Sequence, residues 1–448
     1  MKSDIVIIGG GIAGLATGAL LAKGGLRPVV LERGNQPGGR AYTYVDRGFT
    51  LNYGAHAIYR PESGPLGDVL RRLGRPMLDA PLPDALKSYW ADGDRYGSIG
   101  AKPHQLLGTK FFGVKGKIAM AGAFLALRSA KPERLAGVTY GQWLDEHARE
   151  PELRRFLSAL ATINTYHRHP EDLSAAVLMR HFQENLFAKD YVGYMSGGWK
   201  RMYETFIAEL RAGGGDLVTG ATVDRLETGG DGRVVAAVTP DTRYEADAFV
   251  CTLPPQDAPS IAPAGSGLAA EMARWSGLQD VRVYALDLGF SRPVIEDTAL
   301  IFDVERALYY SLHSYTTPGL APPGGQLLHA MAYLSPEERA DQRLLDGRKA
   351  ELLAGLDRFF PGWRDAVVVR RELSGVRVAS ARQTLEQQGE RRVPLHSSAA
   401  PNLMYAGDGR GLPYMIGNIS LASAIEAADA VPAVIAAARA TARDAVPA

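Results

Sequence analysis

Three glycines and one carboxylate near the N-terminus have the spacing that a bound dinucleotide requires. The glycines are Gly9, Gly11 and Gly14, in a G-x-G-x-x-G arrangement, and the carboxylate is Glu32. The first glycine permits a tight turn, the second lets the backbone approach a pyrophosphate, and the third lets a helix pack closely on a strand. An acid at the distance of Glu32 is placed to bind ribose hydroxyls. The sequence therefore predicts a dinucleotide at this turn.

A strand, a helix and a second strand must position these residues. Residues 4–8 are apolar and predict a buried strand, residues 12–24 predict a helix, and residues 27–32 predict the next strand. The pyrophosphate would lie at the N-terminus of the helix, where unpaired backbone N–H groups and the helix dipole favour an anion. This βαβ unit predicts that the chain opens with a Rossmann-type fold.

The composition excludes some classes of partner. The 448 residues contain 50 basic and 49 acidic side chains, so the net charge is +1 and nucleic acid is not an expected partner. The single cysteine, Cys251, excludes an intrachain disulfide and lies in an apolar strand pattern, where a small buried side chain is expected. No uncharged apolar run reaches the ~18 residues that a membrane-spanning helix needs. The single cysteine is typical of a reducing cytoplasm, and we expect a cytoplasmic protein that acts on a small-molecule substrate.

The remaining patterns predict a second structural unit inserted into the first. Residues 281–290, 307–315 and 326–334 alternate with a period near two and predict an antiparallel meander. A strand at 403–406 and a helix from about 419 to 439 close the chain. We predict a nucleotide-binding domain formed by 1–63, 191–270 and 366–448, and a substrate-binding domain formed by 64–190 and 271–365.

Motifs along the whole chain resemble one family of flavoproteins. They are the first glycine turn, Gly38-Gly-Arg40, the stretch 216–227 that places Val223 on a strand, and Asn402-Leu-Met-Tyr-Ala-Gly-Asp408 before the last helix. Together they resemble the FAD-dependent clan that contains protoporphyrinogen oxidase, the phytoene desaturases and the flavin amine oxidases. The resemblance implies an α/β fold, with a discontinuous Rossmann-type FAD-binding domain and an inserted α+β substrate domain built on an antiparallel sheet and helices.

The resemblance also implies which residues contact FAD. Glu32 would bind the adenosine ribose, Asp408 the ribityl chain or pyrophosphate, and the start of the last helix the pyrimidine edge of the flavin. From the residues alone, Asp408 can instead stabilise a turn. The implied set is Gly9, Gly11, Gly14, Glu32, Arg33, Gly38, Gly39, Arg40, Gly54, Ala55, His56, Val223, Thr252, Leu253, Gly407, Asp408, Asn418 and Ile419.

The sequence departs from the family at the last helix. The amine oxidases usually show Glu-Gly-Ala and then Ser-Gly there, but this chain has Asn418-Ile-Ser420 and then Ser423-Ala424. Larger side chains thus replace glycine near the flavin, which puts the shape of the pocket facing oxygen and substrate in doubt. No cysteine lies near the C-terminus, so we expect FAD to be bound non-covalently.

Several polar residues are candidates for the active site. His56 follows the Gly-Ala turn implied to run beside the flavin, and Tyr414 precedes the last helix, so these two are the catalytic candidates. A histidine bonded to backbone in the core is the alternative for His56. A third group, predicted to share one face of a strand, lines a pocket or faces water: Tyr309, Ser311, His313 and Tyr315.

Two further segments carry weaker signals. His167 and His169 form an H-x-H pair, but only Glu171 stands nearby at ligand spacing, so no metal site is predicted. Residues 110–128 place Lys110, Lys115, Lys117 and Arg128 around an apolar stretch. This segment is either a buried helix of the substrate domain, which we favour, or a peripheral contact with a membrane surface.

The implied function is an FAD-dependent oxidoreductase. It would remove a hydride from an apolar or conjugated small molecule, as in phytoene desaturases and protoporphyrinogen oxidases, and pass electrons to oxygen or a quinone. The alternatives are an amine or amino-acid oxidase that releases peroxide, a non-redox isomerase that uses reduced FAD, and an FAD-binding protein without catalytic activity. No residue pattern indicates the substrate or the oligomeric state.

Overall fold

The computed structural model describes most of the chain. Two sequence predictions concern residues outside the described ranges, namely Ala55 beside the flavin and Lys110 in the basic apolar segment. The described residues are 2–54, 56–99, 105, 108, 109 and 111–444.

The described residues form runs of strands separated by single helices or by groups of helices. The strands, in chain order, are β1 (Lys2–Ile8), β2 (Pro28–Leu31), β3 (Thr43–Asp46), β4 (Phe49–Asn52), β5 (Ala57–Ile58), β6 (Ser88–Asp92), β7 (Arg95–Ser98), β8 (Gly193–Tyr194), β9 (Asp216–Val218), β10 (Arg225–Thr228), β11 (Val234–Val238), β12 (Arg243–Cys251), β13 (Val281–Phe290), β14 (Leu300–Asp303), β15 (Leu308–Leu312), β16 (Gln326–Leu334), β17 (Val367–Ala379) and β18 (Leu403–Tyr405). The helices are α1 (Ile12–Lys23), α2 (Pro65–Leu73), α3 (Val114–Ser129), α4 (Tyr140–His147), α5 (Pro151–Thr165), α6 (Ala175–Asn185), α7 (Lys200–Ala212), α8 (Gly267–Ser276), α9 (His313–Thr316), α10 (Pro336–Ala340), α11 (Gln342–Phe359), α12 (Trp363–Ala366) and α13 (Gly417–Asp444).

The first sheet contains the predicted βαβ unit. Its strand order is β10-β11-β12-β1-β2-β9, and β18 pairs with the C-terminal part of β12. The pairs β12–β1, β1–β2, β2–β9 and β12–β18 are parallel, so the carboxyl ends of these strands share one edge. Ligands of open parallel sheets bind at this edge. The α/β fold with a Rossmann-type unit is confirmed.

The first sheet is covered on both faces, as parallel sheets require. On β1, Ile5 and Ile7 pack in a cluster with α1, α7 and α13, whereas Val6 and Ile8 point to the opposite cluster, which includes α8. All four side chains are buried, which explains why the sequence reads as a continuous apolar run rather than an alternating one.

The second sheet is largely antiparallel. Its order is β17-β13-β16-β15-β14-β6-β7, with β14 and β6 as a parallel pair. One face packs against a cluster that includes α3 to α6, and the other packs against α11 and α12. The three predicted strands are present and antiparallel, but β16 lies between β13 and β15, so they do not follow one another as a meander. Strand β15 ends at Leu312 because His313–Thr316 turns into a short helix. The prediction that His313 and Tyr315 continue the strand face of Tyr309 is therefore wrong.

Two other predicted elements have different bounds. The strand predicted at 223–227 begins at Arg225, whose partner is Val238, so Val223 lies in the turn before β10. The last helix begins at Gly417, two residues earlier than expected. The division into two domains remains a prediction; β17, which we assigned with 366–448 to the nucleotide domain, pairs with β13 in the second sheet.

Helix α13 is long and apolar. Residues Gly417–Ala440 have a mean hydropathy of 1.6 in their most apolar window, which is enough by length and composition to cross a membrane. Half of that window is buried inside the protein, and Leu421, Ala424 and Val431 pack in the core beside α1. These contacts are those of a core helix.

Helix α3 covers most of the basic apolar segment. Gly116, Met120, Ala123 and Leu127 form a buried face. The opposite face leaves Val114, Ile118 and Leu125 exposed by 76%, 69% and 68%. One face of α3 is therefore buried and the other is exposed. A wholly buried helix, the alternative that we favoured, does not describe it fully, and neither does a purely peripheral one.

Candidate cofactor and active site

A cavity of about 1070 Å³ lies at the carboxyl edge of the first sheet and reaches β17 of the second. Its walls come from segments that are far apart in the sequence, including the first glycine turn, Ser374–Val378 and the start of α13. The residues implied for FAD that line it are Gly9, Gly11, Glu32, Arg33, Gly38, Gly39, Arg40, Val223, Thr252, Leu253, Gly407 and Asp408.

The three glycines of the first turn have three different surroundings. Gly9 has a φ of +109°, a conformation that side chains disfavour. A Cβ on Gly14 would lie 2.0 Å from the Gly9 carbonyl oxygen, so only glycine allows α1 to pack this closely on the turn. A Cβ on Gly11 would meet no atom within 4 Å. Since Gly11 lines the cavity and precedes the first residue of α1, its free space is available to an anion at the helix N-terminus.

The Glu32 carboxylate is held in place at the cavity wall. Its Oε2 accepts from the Gly10 backbone N–H at 2.8 Å, and its Oε1 accepts from the Gly34 N–H at 2.7 Å. Each carboxylate oxygen can accept a further bond. The carboxylate is thus oriented by backbone donors and retains acceptor capacity for hydroxyl groups in the cavity.

Arg40 and Asp408 join two distant segments of the wall. The Arg40 guanidinium donates to both carboxylate oxygens of Asp408, at 2.7 and 2.5 Å. The Ser380 N–H and hydroxyl also donate to Asp408, each at 2.7 Å. Burial alone would raise the pKa of the Asp408 carboxyl, but Arg40 and Ser380 outweigh it and hold that pKa below its usual value. The carboxylate remains charged, and its partners orient it.

Some implied residues do not line the cavity. Gly14 packs behind the turn, and a Cβ on Gly54 would lie 2.8 Å from the Arg40 carbonyl oxygen. Asn418 and Ile419 are buried within the first turn of α13, where the Asn418 amide donates to the Tyr59 carbonyl oxygen at 2.8 Å. Their neighbours Ile416, Gly417 and Ser420 line the wall instead. The start of α13 therefore faces the cavity through residues adjacent to the ones we named.

The two catalytic candidates lie in different surroundings. Tyr414 is half-buried and outside the cavity wall, and burial raises the pKa of its hydroxyl. His56 is buried and does not line the cavity itself, although Tyr53, Ala57 and Ile58 on either side of it in the sequence do. Its Nδ1 lies 2.9 Å from Nδ1 of His313, and its Nε2 lies 3.2 Å from the Asn52 carbonyl oxygen.

His56 belongs to a polar cluster that the sequence did not reveal. His329 Nδ1 lies 2.5 Å from Oδ1 of Asp287, and Nε of Arg371 donates to Oδ2 of Asp287 at 2.6 Å. The His56 ring lies over the His329 ring, with centroids 3.9 Å apart. We call His56, Asp287, His313, His329 and Arg371 the histidine cluster. The sequence contained one indication of this cluster, namely that Asp287 and His329 are polar residues within the apolar strands VRVYALDLGF and QLLHAMAYL.

Burial controls the charge of this cluster. It lowers the pKa of His56 well below its usual value, and His329, His313 and Arg371 lower it further. Burial and His329 do the same to the pKa of His313. Burial would raise the pKa of Asp287, but His329 and Arg371 outweigh it and hold that pKa below its usual value. The cluster therefore holds an ionised carboxylate, neutral His56 and His313, and one arginine.

Buried tyrosines adjoin the histidine cluster. The Tyr194 and Tyr309 hydroxyls are 2.6 Å apart, and the Tyr194 ring contacts His313 with centroids 4.8 Å apart. Tyr166 and Tyr333 also pack on this face of the second sheet. Burial raises the pKa of each of these hydroxyls, so the tyrosines are uncharged.

The H-x-H pair has no ligand set around it among the residues that the structure describes. His167 is buried, its Nδ1 bonds the Thr165 carbonyl oxygen at 2.9 Å, and burial lowers its pKa to about 3. Within that same part of the chain, the one group with metal-ligand chemistry is His56, Asp287 and His329, whose ligand atoms lie within 4.8 Å of one another. Arg371 is already bonded to Asp287 there, and its charge opposes a cation.

The fold and the cavity define a flavoprotein oxidoreductase of the FAD-binding type. Residues 12–432 match the model of one family, the flavin containing amine oxidoreductases. Because the match covers nearly the whole chain, the protein belongs to this family and its cofactor is FAD. The open space at Gly11, the oriented Glu32 carboxylate and a cavity of about 1070 Å³ fit such a dinucleotide.

Individual relatives resemble the chain over limited stretches. All-trans-retinol 13,14-reductase of Homo sapiens is 42% identical over 83 residues, which are 18% of this chain and 14% of that protein. A lycopene-forming phytoene desaturase of Pseudescherichia vulneris is 40% identical over 74 residues, 16% of this chain and 15% of that one. The matches span about one seventh of either relative.

Solved structures resemble the whole fold. An oxidoreductase from Methanosarcina mazei has a TM-score of 0.79 at 20% identity, over 96% of this chain and 100% of that one. At this identity the likeness concerns the fold alone.

Proposed function

We propose that this flavoprotein removes a hydride from an apolar or conjugated small molecule, forming a double bond, and passes the electrons to oxygen or a quinone. The observation that carries the proposal is the apolar, tyrosine-rich face of the second sheet beside the cavity. Val376 and Val378 of β17 line the cavity and also pack in the cluster that holds Tyr309 and Tyr333. An apolar substrate could pack against this face next to the flavin.

The names of two relatives support the same class of substrate. A retinol reductase and a phytoene desaturase act, by their names, on molecules with conjugated carbon chains. When bound, FAD supplies the two-electron acceptor for a hydride that leaves a substrate C–H bond. The protein orients the substrate, excludes water and holds the cofactor. We propose that Glu32 and the Arg40–Asp408 pair hold the cofactor.

Anaerobic bleaching of the visible flavin band tests this proposal. The purified holoenzyme is mixed with a polyene, a porphyrinogen, a polyamine and several amino acids, and air is then admitted. Bleaching by the polyene or the porphyrinogen supports the proposal, and recovery in air with peroxide identifies oxygen as the acceptor. Bleaching by the polyamine or an amino acid alone favours an amine or amino-acid oxidase. Bleaching by dithionite only, with no substrate active, contradicts the proposal.

We also propose that the exposed face of α3 rests on an anionic membrane surface. Val114, Ile118 and Leu125 would enter the interface, and the helix carries Lys115, Lys117 and Arg128 but no acidic residue. Basic side chains around an apolar face are typical of interfacial helices. Such a contact would place the protein where apolar molecules are dissolved.

A further inference from the structure

The histidine cluster is built by the register of the second sheet. Asp287 on β13 is the cross-strand partner of Arg371 on β17 and of His329 on β16, and His329 is the partner of Ser311 on β15. Four polar residues thus form one row across adjacent strands. Arg371 also donates to the Asn52 carbonyl oxygen, which fixes the row beside the segment that lines the cavity.

The hydrogen bonds determine where the imidazole protons lie. A carbonyl oxygen can only accept, so His56 donates through Nε2 to Asn52. Because His56 is neutral, its Nδ1 must accept, and the donor at 2.9 Å is Nδ1 of His313. The lone pair of His313, which is also neutral, is therefore on Nε2.

His329 presents a second ring nitrogen in the same cluster. Its Nδ1 bonds the Asp287 carboxylate, which also accepts from Arg371. Nε2 of His329 takes no part in these bonds.

Neither Nε2 atom has a hydrogen-bond partner among the residues that the structure describes. Both atoms are buried, on residues that are 2% (His313) and 1% (His329) exposed. The two rings are nearly parallel, with centroids 5.3 Å apart. Leaving a buried polar nitrogen unpaired is unfavourable, so a ligand that hydrogen-bonds here would stabilise the site.

We infer that the histidine cluster is the binding site for a hydroxyl or amine group of the substrate, with Nε2 of His313 as the acceptor and Nε2 of His329 as the second polar contact. The apolar remainder of the molecule lies along Tyr194 and Tyr309 toward the cavity. This inference rests on the proposed function, because it assigns a polar end to the apolar substrate of the same site. Arg371 beside Asp287 disfavours a metal ion as the alternative occupant.

Asparagine variants remove the Nε2 atoms of these histidines and keep the hydrogen bonds that their Nδ1 atoms make. An asparagine amide can replace the Nδ1–H donor of a histidine and has no atom at the Nε2 position. His329→Asn therefore keeps a donor to Asp287, and His313→Asn keeps a donor to His56. The matched control is His167→Asn, because His167 is also buried with an unpartnered Nε2 but lies away from the cluster.

Binding is measured on the anaerobic holoenzyme by the change in its visible flavin spectrum. Two pairs of uncharged probes differ in the donor group, namely retinol against retinyl methyl ether and aniline against toluene. We expect the donor-bearing member of at least one pair to bind about ten-fold more tightly. The pair that shows this preference indicates whether the site binds a hydroxyl group or an amine group. His329→Asn and His313→Asn should abolish the preference, and His167→Asn should retain it.

Several results would overturn the inference. These are equal affinity for both members of each pair, no binding of any probe, or the same loss in His167→Asn as in His329→Asn. A stoichiometric zinc or copper ion in the purified protein that is lost in His329→Asn also overturns it. The proposed function fails separately, when no substrate bleaches the flavin although the donor preference is present.

Discussion

Arg40 and Asp408 are 368 positions apart in the sequence and form a two-point ion pair on the wall of the proposed FAD site. Arg40 follows the second glycine turn, and Asp408 follows β18 after Gly407. The pair therefore joins the first and last segments of the nucleotide fold. Asp408 is 5% exposed, so its charge depends on Arg40 and Ser380 for compensation.

Replacing one residue of this ion pair should lower the free energy of unfolding more than replacing both. In Asp408→Asn the part-buried Arg40 charge loses its counterion, and we expect a loss of about 3–5 kcal/mol in the free energy of unfolding. The double variant Arg40→Met, Asp408→Leu should recover part of this stability but bind less FAD. Urea unfolding and the flavin content per protein measure the two effects. Equal destabilisation of the single and double variants would contradict the expected coupling.

Substitutions of Gly11 and of Gly14 should have different effects, one on FAD binding and the other on stability. Gly14→Ala places a Cβ against the Gly9 carbonyl oxygen, so α1 must shift and stability should fall by about 1–3 kcal/mol. Gly11→Leu meets no protein atom near its Cβ and should leave the thermal stability of the apoprotein unchanged. Its side chain would fill the space proposed for the pyrophosphate, so the protein should purify without FAD. A yellow Gly11→Leu protein with normal flavin content would disprove this placement of the cofactor.

His181 should make the protein sensitive to acid. Burial, with Arg60 nearby, lowers its pKa from 6.5 to about 3 in the folded protein. As pH falls below about 6.5, the unfolded chain binds the proton first, so stability is complete above this pH and is lost as pH falls toward 3. In His181→Gln, the loss of unfolding free energy between pH 6.5 and 4 should be smaller by roughly 3 kcal/mol. Denaturant unfolding at these two pH values tests it, and an unchanged difference would contradict the assignment.

Acidic substitutions on α3 should prevent binding to membranes. The variant Ile118→Glu, Leu125→Glu places two charges on the exposed face, away from the buried face of the helix, so folding should be unaffected. We expect the wild type to sediment with vesicles that contain phosphatidylglycerol, less so in high salt, and the variant to stay in solution. Leu344→Glu, on the exposed part of α11, is the control and should sediment like the wild type. Equal sedimentation of all three proteins would exclude α3 as the contact.

Local patterns were enough to predict the nucleotide turn. Gly9, Gly11 and Gly14 are close in the sequence, and each acts through its own backbone, so their spacing alone specifies a strand, a turn and a helix. The apolar run of β1 was predictable for the same reason. Boundaries were less certain where a turn interrupts a pattern, as at Val223 before β10 and at His313 after β15.

The histidine cluster could not be predicted from the sequence, because its members come from distant segments. His56 was a candidate only through its neighbours Gly54 and Ala55, and Asp287 and His329 were single polar residues within apolar strands. Their partnership depends on the register of β13, β16 and β17, which side-chain packing across the sheet decides. The sequence by itself determined the βαβ unit, since that unit depends on short-range backbone geometry, and its motifs indicated the family and the FAD cofactor by resemblance. The tertiary structure decided which charges pair and which polar atoms remain unpartnered, since both depend on contacts between residues far apart in the chain.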